Sequence, residues 1–484
     1  MTFDTIRFCV FLSAMLLIYY CSPEKIRKYV IFVGNILFYI SFDLKVAVMA
    51  VFTTAITYYS GLQIEKNKYK NKKTAFCWLT ATVAAIILVL GIFKYLNFFV
   101  ETINIVLKWF HANTSMPLVQ LFAVIGISYY SLKAISYLVE VYKGNMEAER
   151  NFISYGDYIL FFPQIVAGPI DKPESLISQI NTSLHYKEDL MKKAVVLLAS
   201  GYMKKLVIAN LAAGYVNTVY GNTVSQTGLT CLFAAFLYSI QIYCDFSGYS
   251  DISIGLAAMF GIQVRNNFDC PYLSVNIKDF WRRWHISLSS FLRDYIYIPL
   301  GGSRKGEIKK IRNVLVIFLV SGLWHGAAWT FVFWGLYHGI LNCLSKNVEN
   351  IERLKGFLWI KRMVRVLGTF ILVTLGWIFF RAESFGKAFE IIRKIVFETS
   401  VSIGAIQETI LVFTGDSMSL AYFLTLVIMV FLLFFREYRY TYGGLKDAEE
   451  NKREKEALFW TGFCVFAILC FGNFGTQGFI YANF

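Results

Sequence analysis

Apolar runs close to the length of a membrane crossing recur along the whole chain. Their approximate bounds are 8–21, 29–42, 44–63, 74–98, 118–142, 194–220, 229–244, 252–264, 313–341, 356–380, 420–435 and 458–471. A helix needs about 20 apolar residues to cross the hydrocarbon core of a bilayer. Several runs are shorter, so we expect about 11 crossings, with the other apolar segments re-entrant or interfacial.

The composition agrees with this pattern. Hydrophobic residues make up 57% of the 484 residues and charged residues only 16%, and the mean hydropathy is +0.52. Soluble proteins carry about 25% charged residues, so this chain is too poor in charge to coat a globular surface. The sequence predicts an all-α polytopic membrane protein. We expect one membrane domain over 1–484, with N-terminal helices in 1–150, the core in 151–345 and C-terminal helices in 346–484.

The positive charge is concentrated in short loops. Lys and Arg number 47 against 32 Asp and Glu, which anionic lipid and positive-inside topology explain better than nucleic acid does. The basic loops at 25–28, 66–73, 304–312, 346–365 and 436–455 are predicted to be cytoplasmic, with the N-terminus outside. The first run lacks a cleavage pattern and is predicted to be an uncleaved span. The nine scattered cysteines form no C-x-x-C pair and indicate neither disulfides nor a metal site.

Two segments do not fit a simple span. Residues 161–170 are apolar but carry two prolines and a glycine. Because proline disrupts a helix interior, a re-entrant or interfacial loop is expected there. Residues 279–297 mix five charged residues and a histidine with aromatic residues, which predicts a segment at the interface or inside the protein.

His325 lies in a run, 313–341, that contains no Lys, Arg, Asp or Glu. On a regular helix it would lie roughly 18 Å from the start of the run, near the bilayer centre. An ionisable residue there is a functional candidate, since it is expensive to bury. Gly322, Gly326 and Ala327 would leave room beside the imidazole. A buried histidine satisfied by one carbonyl is the alternative.

His285 lies in a cluster of tryptophans and arginines. On a helix it would share a face with Trp281 and Leu288, and Asp279 would reach Arg283 across one turn. Either an aromatic and basic interfacial belt or an anionic ligand would explain this cluster. The arginines that could hold such a ligand are Arg282, Arg283 and Arg293.

The other three histidines are less promising. His338 would not share a helix face with His325 and is predicted to be structural. His111 and His185 stand in polar loops and are expected at the surface.

Asp245 and Asp251 stand between two apolar runs, among Tyr243 and other hydroxyl-bearing residues. This stretch could line a polar cavity that admits a hydroxyl-rich molecule. It could equally be a hydrogen-bonded structural knot between two short helices. No Walker loop, G-x-S-x-G elbow or H-E-x-x-H motif occurs, and the histidine spacing does not suit a metal site.

Several of these segments together resemble the membrane-bound O-acyltransferase superfamily, and most closely its bacterial alginate O-acetyltransferase branch. They are DFWRRWHISLSSFLRDYIYIPLGG at 279–302, SGLWHGAAWTFVFWG at 321–335, QIYCDFSGYSDISIG at 241–255, FFPQIVAGPI at 161–170 and LGWIFFRAESF at 375–385. The C-terminal residues 479–484 are similar to that branch's aromatic ending, although Ala482 and Asn483 depart from it. Residues 298–302 and the chain length favour the acetyl branch over the branch that adds D-alanine to teichoic acids.

The resemblance implies a ring of helices around a central tunnel, with His325 as the near-invariant histidine and His285 as the second catalytic one. It implies a bacterial cytoplasmic-membrane enzyme that acylates a cell-surface polysaccharide. The donor would be acetyl-CoA or an acylated carrier, with no bound cofactor. A secreted or periplasmic acetyltransferase would be the partner.

A buried histidine with a suitable pKa can remove the proton of an attacking hydroxyl, so we expect His325 to be the general base. His285 would orient it or bind the developing oxyanion. The residues expected at donor or acceptor binding are Trp324, Asp279, Arg282, Arg283, Arg293, Tyr243, Asp245 and Asp251. A polysaccharide or proton-coupled transporter, D-alanyl transfer to teichoic acid, and a non-catalytic relay of acetyl groups are the alternatives.

Overall fold

The computed structural model describes residues 1–111, 114–122, 124–182, 184–345, 358–413, 418–445, 448–474 and 478–480. Ten helices come first: α1 Ile6–Cys21, α2 Glu24–Ile40, α3 Leu44–Lys68, α4 Lys72–Leu90, α5 Leu96–Trp109, α6 Ile127–Lys143, α7 Phe152–Leu160, α8 Pro173–Thr182, α9 Glu188–Tyr202 and α10 Asn210–Gly221. The next ten are α11 Gly228–Met259, α12 Ile277–Arg283, α13 Ile286–Leu292, α14 Glu307–His325, α15 Trp329–Leu344, α16 Leu358–Arg381, α17 Phe385–Phe397, α18 Ile403–Leu411, α19 Met418–Thr441 and α20 Glu450–Phe471.

The predicted helical membrane fold is confirmed. Among the described residues, six helical stretches are long and apolar enough to cross a membrane. They are Leu44–Lys68, Lys72–Trp109, Glu188–Gly221, Gly228–Met259, Ile360–Arg381 and Ser419–Thr441. Other predicted runs form shorter helices such as α1, α2 and α15, so the total of about 11 crossings stays a prediction, as does the orientation of the N-terminus.

The helices group into two compact units. The first contains residues 1–194 and 256–265, and the second contains residues 195–255 and 266–484. The expected single membrane domain with three parts stays a prediction.

Within the first unit, the non-helical prediction for 161–170 is confirmed. Residues Phe162–Gln164 form one 3-10 turn, and most of the segment is buried. A polar network supports the loop: Lys133 Nζ donates to Gln164 Oε1 at 2.9 Å, and Gln164 Nε2 donates to Asp171 Oδ2 at 2.7 Å. Arg265 Nε also donates to Asp171, at 3.2 Å. These bonds pair polar side chains that are buried at the loop.

The predicted run 118–142 is only partly helical, because α6 begins at Ile127. Two asparagines of α5 form hydrogen bonds with the backbone of the segment that precedes α6. Asn97 exchanges two hydrogen bonds of 3.0 Å with the backbone of Val119. Asn104 does the same with Met116, at 2.9 and 2.7 Å. These side-chain bonds take the place of helical ones, and the segment is not helical.

Candidate active site

Two helices of the second unit, α14 and α15, carry His325 at their junction. The sequence predicted one apolar run through this point, but α14 ends at His325 and the backbone is extended at Gly326. His325 is therefore a helix-terminal residue and not a mid-helix one. Its side chain is only 2% exposed.

Close packing of glycines explains how the two helices meet. A Cβ atom on Gly322 would overlap the carbonyl oxygen of Phe331, and one on Gly335 would overlap that of Phe318. Only glycine permits this approach of the backbones. The predicted room beside the imidazole is thus occupied by the neighbouring helix.

His285 lies between α12 and α13 with a left-handed backbone, φ 45°. The expected helix through Trp281, His285 and Leu288 is therefore wrong. The loop at 267–269 forms two hydrogen bonds with the backbone on either side of His285. Asp269 N–H donates to Arg283 O, and Ile286 N–H donates to Asn267 O, both at 3.0 Å. These bonds end α12 at Arg283. A non-glycine residue in this conformation is uncommon.

Asn267, which sequence reasoning missed, holds His285 in place. Its Oδ1 lies 3.1 Å from His285 Nδ1 and also accepts from the Ser287 hydroxyl at 2.9 Å and the Ser287 amide at 3.2 Å. An amide oxygen can only accept, so the His285 proton is assigned to Nδ1 and Nε2 carries a lone pair. Burial lowers the pKa of His285 to about 3, so the imidazole is neutral at physiological pH.

The structure brings the two predicted histidines together. The ring centroids of His285 and His325 lie 6.3 Å apart. Aromatic rings surround the pair, with Phe246 at 4.7 Å from His285, and Trp334 at 5.2 Å and Phe380 at 5.4 Å from His325. The only sequence signal for Phe246 and Phe380 as site residues was their position inside two of the quoted motifs, 241–255 and 375–385.

His338 and Trp324 lie near this pair. His338 is fully buried, and Trp281 Nε1 donates to its Nδ1 at 3.4 Å. It lies on a different helix from His325, so the expectation of one regular helix through both is wrong. Trp324 is half-buried beside His325. His111 and His185 are exposed, as predicted.

The predicted contact between Asp279 and Arg283 is confirmed, with Arg283 Nε donating to Asp279 Oδ1 at 3.0 Å. Arg282 donates to the same oxygen. Burial works against ionisation of Asp279, but hydrogen bonds from these arginines outweigh it and hold its pKa below the usual value. The side chains of Arg282 and Arg293 are 75% and 60% exposed, whereas Arg283 is committed to an internal ion pair.

The carboxylates of the Asp245 stretch lie on one continuous helix, α11, and not between two short helices. Lys205 Nζ donates to Asp245 at 2.7 Å, and Lys204 Nζ donates to Asp251 at 2.8 Å. A π-helical segment, Met203–Ala209, connects α9 to α10 and carries both lysines. Both carboxylates are therefore paired, which avoids the cost of burying an unpartnered charge. The two lysines inside an apolar run were the overlooked signal.

Three further hydrogen bonds complete this cluster. Tyr243 donates its hydroxyl to Glu437 Oε1. Ile480 N–H donates to Asp245 Oδ2 at 2.7 Å, and Lys205 Nζ donates to the Gly478 carbonyl at 3.1 Å. Of the aromatic C-terminal ending, residues 481–484 lie outside the described residues.

The fold and the site define the class: a helical membrane protein with two buried histidines whose ring centroids lie 6.3 Å apart. Residues 36–381 match MBOAT, the membrane-bound O-acyltransferase family, and the chain belongs to that family. It is therefore an integral membrane acyltransferase.

Three relatives illustrate the range of activities in the family. The chain is 36% identical over 379 residues to the probable alginate O-acetylase AlgI of Azotobacter vinelandii, covering 78% of this chain and 74% of the relative. It is 32% identical to the peptidoglycan O-acetyltransferase of Helicobacter pylori, covering 81% and 78%. It is 29% identical to the teichoic acid D-alanyltransferase of Bacillus subtilis, covering 57% and 73%.

Proposed function

We propose that this protein transfers an acetyl group from a cytoplasmic thioester to hydroxyls of a polysaccharide outside the membrane, with His325 as general base. The observation that carries the proposal is the 6.3 Å approach of two buried histidines. The O-acetyltransferase relatives, which are more similar over more of the chain than the D-alanyltransferase one, favour acetyl as the acyl group. The acceptor is an alginate-like exopolysaccharide or peptidoglycan.

The chemistry follows from the imidazole. His325 removes the proton of the acceptor hydroxyl while the oxygen attacks the thioester carbonyl. The carbon–sulfur bond then breaks, and His325 returns the proton to the leaving thiolate. No net proton is gained or lost.

His285 acts as the partner of His325. Its Nδ1 proton is directed at Asn267, so the neutral ring offers a lone pair on Nε2. An acceptor atom can orient a protonated neighbour but cannot donate to an oxyanion. This arrangement supports an orienting role over oxyanion binding.

The setting of the reaction is part of the proposal. The protein acts in the bacterial cytoplasmic membrane, with its N-terminus outside. The donor is acetyl-CoA or an acylated carrier. The exposed Arg282 and Arg293 offer donors that suit its phosphates. Donor or acceptor binding further involves Trp324, Tyr243 and the paired Asp279, Arg283, Asp245 and Asp251. A secreted acetyltransferase receives the acetyl group or completes the transfer.

The test is mass-resolved acetylation of surface polysaccharides in cells that carry the wild type, His325→Ala or His111→Ala, with membrane levels matched by immunoblot. We expect His325→Ala to lower acetylation by at least about 100-fold, as for loss of a general base. The exposed His111 is the control and its replacement should change nothing. Unchanged acetylation in His325→Ala would refute the assignment, and a D-alanyl ester in place of acetyl would identify the other branch.

A further inference from the structure

A groove of about 1160 Å³ lies between α11, α16 and α19 of the second unit. Its wall follows α16 from Arg362 to Phe370, which is about 12 Å along the helix. Met363 and Leu367 on this wall are 60% and 59% exposed. Because α16 and α19 are both long and apolar enough to cross a membrane, these exposed side chains face lipid, and the groove is open to the bilayer.

One end of the groove offers only apolar surface. The ring of Tyr272 lies 5.1 Å from that of Phe370 and 6.3 Å from that of Phe434, measured between centroids. The Tyr272 hydroxyl donates to the Ser239 carbonyl at 2.6 Å and accepts from Trp377 Nε1 at 3.1 Å. Both hydrogen-bonding functions of this hydroxyl are therefore used inside the protein, and the three rings present an apolar wall.

The other end carries a cation. Among the described residues that line the groove, Arg362 is the one with a charge. Its Cζ lies 4.2 Å from the centroid of the Tyr442 ring, and the Tyr442 hydroxyl donates to the Leu273 carbonyl at 3.2 Å, which holds that ring in place. Arg362 Nε is buried and has no hydrogen-bond partner among the described residues. A buried donor without an acceptor is costly, and the planar guanidinium is suited to a phosphate group.

The carboxylates of this part of the second unit have other partners. Asp279 accepts hydrogen bonds from Arg282 and Arg283, and Glu437 accepts one from Tyr243. The positive charge of Arg362 is therefore not cancelled by either carboxylate.

Further basic residues lie on the same helix ends. Lys361 and Arg365 of α16 and Arg439 of α19 are exposed. They belong to the two basic segments, 346–365 and 436–455, that the sequence predicts to be cytoplasmic. Anionic lipids are concentrated in the cytoplasmic leaflet and attract basic residues next to a membrane span.

We propose that this groove binds one anionic phospholipid, whose phosphate accepts hydrogen bonds from Arg362 and whose acyl chain lies along α16 toward Phe370. Because the bilayer is as apolar as the groove, the chain gains packing and no hydrophobic energy, and the headgroup sets the selectivity. The lipid is bound and not consumed, so the inference does not depend on the proposed acyl transfer.

The experiment is native mass spectrometry of the full-length protein, stripped of lipid in detergent and titrated with phosphatidylglycerol or phosphatidylcholine of identical chains. We expect one phosphatidylglycerol to bind about 5- to 10-fold more tightly than phosphatidylcholine. Arg362→Gln should weaken phosphatidylglycerol binding by about 10-fold, as for one lost charge-assisted hydrogen bond, and remove the preference. Arg365→Gln is the matched control, because Arg365 is exposed on the same helix and does not line the groove, and it should retain the preference.

A second pair of variants tests the chain. Leu367→Trp fills the groove and should weaken the binding of both lipids. Ile371→Trp places the same ring on α16 outside the groove, where Ile371 is 50% exposed, and should weaken neither.

Equal affinity of the wild type for the two lipids, or unchanged phosphatidylglycerol affinity in Arg362→Gln, overturns the proposal. Displacement of phosphatidylglycerol by an equal concentration of sn-glycerol 3-phosphate also overturns it, because the site would then bind phosphate without a chain. Size-exclusion profiles establish that the variants fold, and Arg362→Met replaces Arg362→Gln if the latter does not.

Discussion

Gly322 of α14 and Gly335 of α15 face each other so closely that a methyl group on either would overlap backbone atoms of the opposite helix. This contact seats α14 against α15 at the point where α14 ends in His325. The position of the imidazole therefore depends on two residues that have no side chain.

Replacing Gly335 with alanine should destabilise the protein by about 1–3 kcal/mol, because the new methyl group forces the helices apart. Acyl transfer should fall as well, since His325 moves with α14. Thermal unfolding in detergent and transfer assays at matched protein levels measure both effects.

Gly368→Ala is the control for that substitution. A Cβ atom on Gly368, in α16, would meet nothing within 4 Å. Alanine is the better helix former there and should be neutral or stabilising by up to about 1 kcal/mol. Equal effects of the two substitutions would contradict the role of the glycine contact.

Asn267→Leu should lower kcat by about 10- to 100-fold while the acceptor KM stays near its wild-type value, because misplacing a reacting group reduces the rate of the chemical step. The substitution removes the oxygen that receives His285 Nδ1–H and both Ser287 donors. Steady-state kinetics separates the two constants. Asn266→Leu changes the exposed neighbour and should have no such effect. A rise in KM alone would show that Asn267 acts elsewhere.

Acid should destabilise the protein partly through His285. Its pKa is lowered to about 3 in the folded protein, whereas an unfolded histidine titrates near about 6.5. Between these values the unfolded chain binds the extra proton, so stability falls as the pH drops from about 6.5 toward 3. We expect His285→Gln to reduce the loss of Tm between pH 7 and pH 5.

The same Tm series on His111→Gln provides the comparison, since that side chain is exposed. Its pH dependence should match the wild type. A His285→Gln curve that is as steep as the wild-type curve would disprove the buried neutral imidazole.

Lys205→Met should cost about 3–5 kcal/mol, because it leaves the Asp245 carboxylate buried without its partner. The Lys205 and Asp245 side chains are only 1% and 3% exposed. The double variant Lys205→Met with Asp245→Leu removes both charges and should recover much of that loss. A double-mutant cycle from unfolding midpoints measures the coupling, and additive losses would argue against a tight pair.

The membrane-embedded helical class and the family could be read from residue order alone, because each depends on local properties. The apolar runs predicted the long helices α3 and α16, and the prolines of 161–170 predicted a break. The motif around His325 identified the family and the two histidines of interest. Helix ends could not be predicted as well from the sequence. It suggested a helix through His285, where α12 ends before that residue, and a break within α11, which is continuous.

Those errors share one physical cause. Whether backbone groups bond within a helix or to a distant segment depends on which segment lies beside them, and local sequence does not contain that information. Asn267 and Asp269 bond to the backbone where α12 ends, and Asn267 orients His285. Lys204 and Lys205 pair with the two carboxylates of α11. The sequence thus singled out the candidate residues, while tertiary packing set their distances, their tautomers and their neighbours.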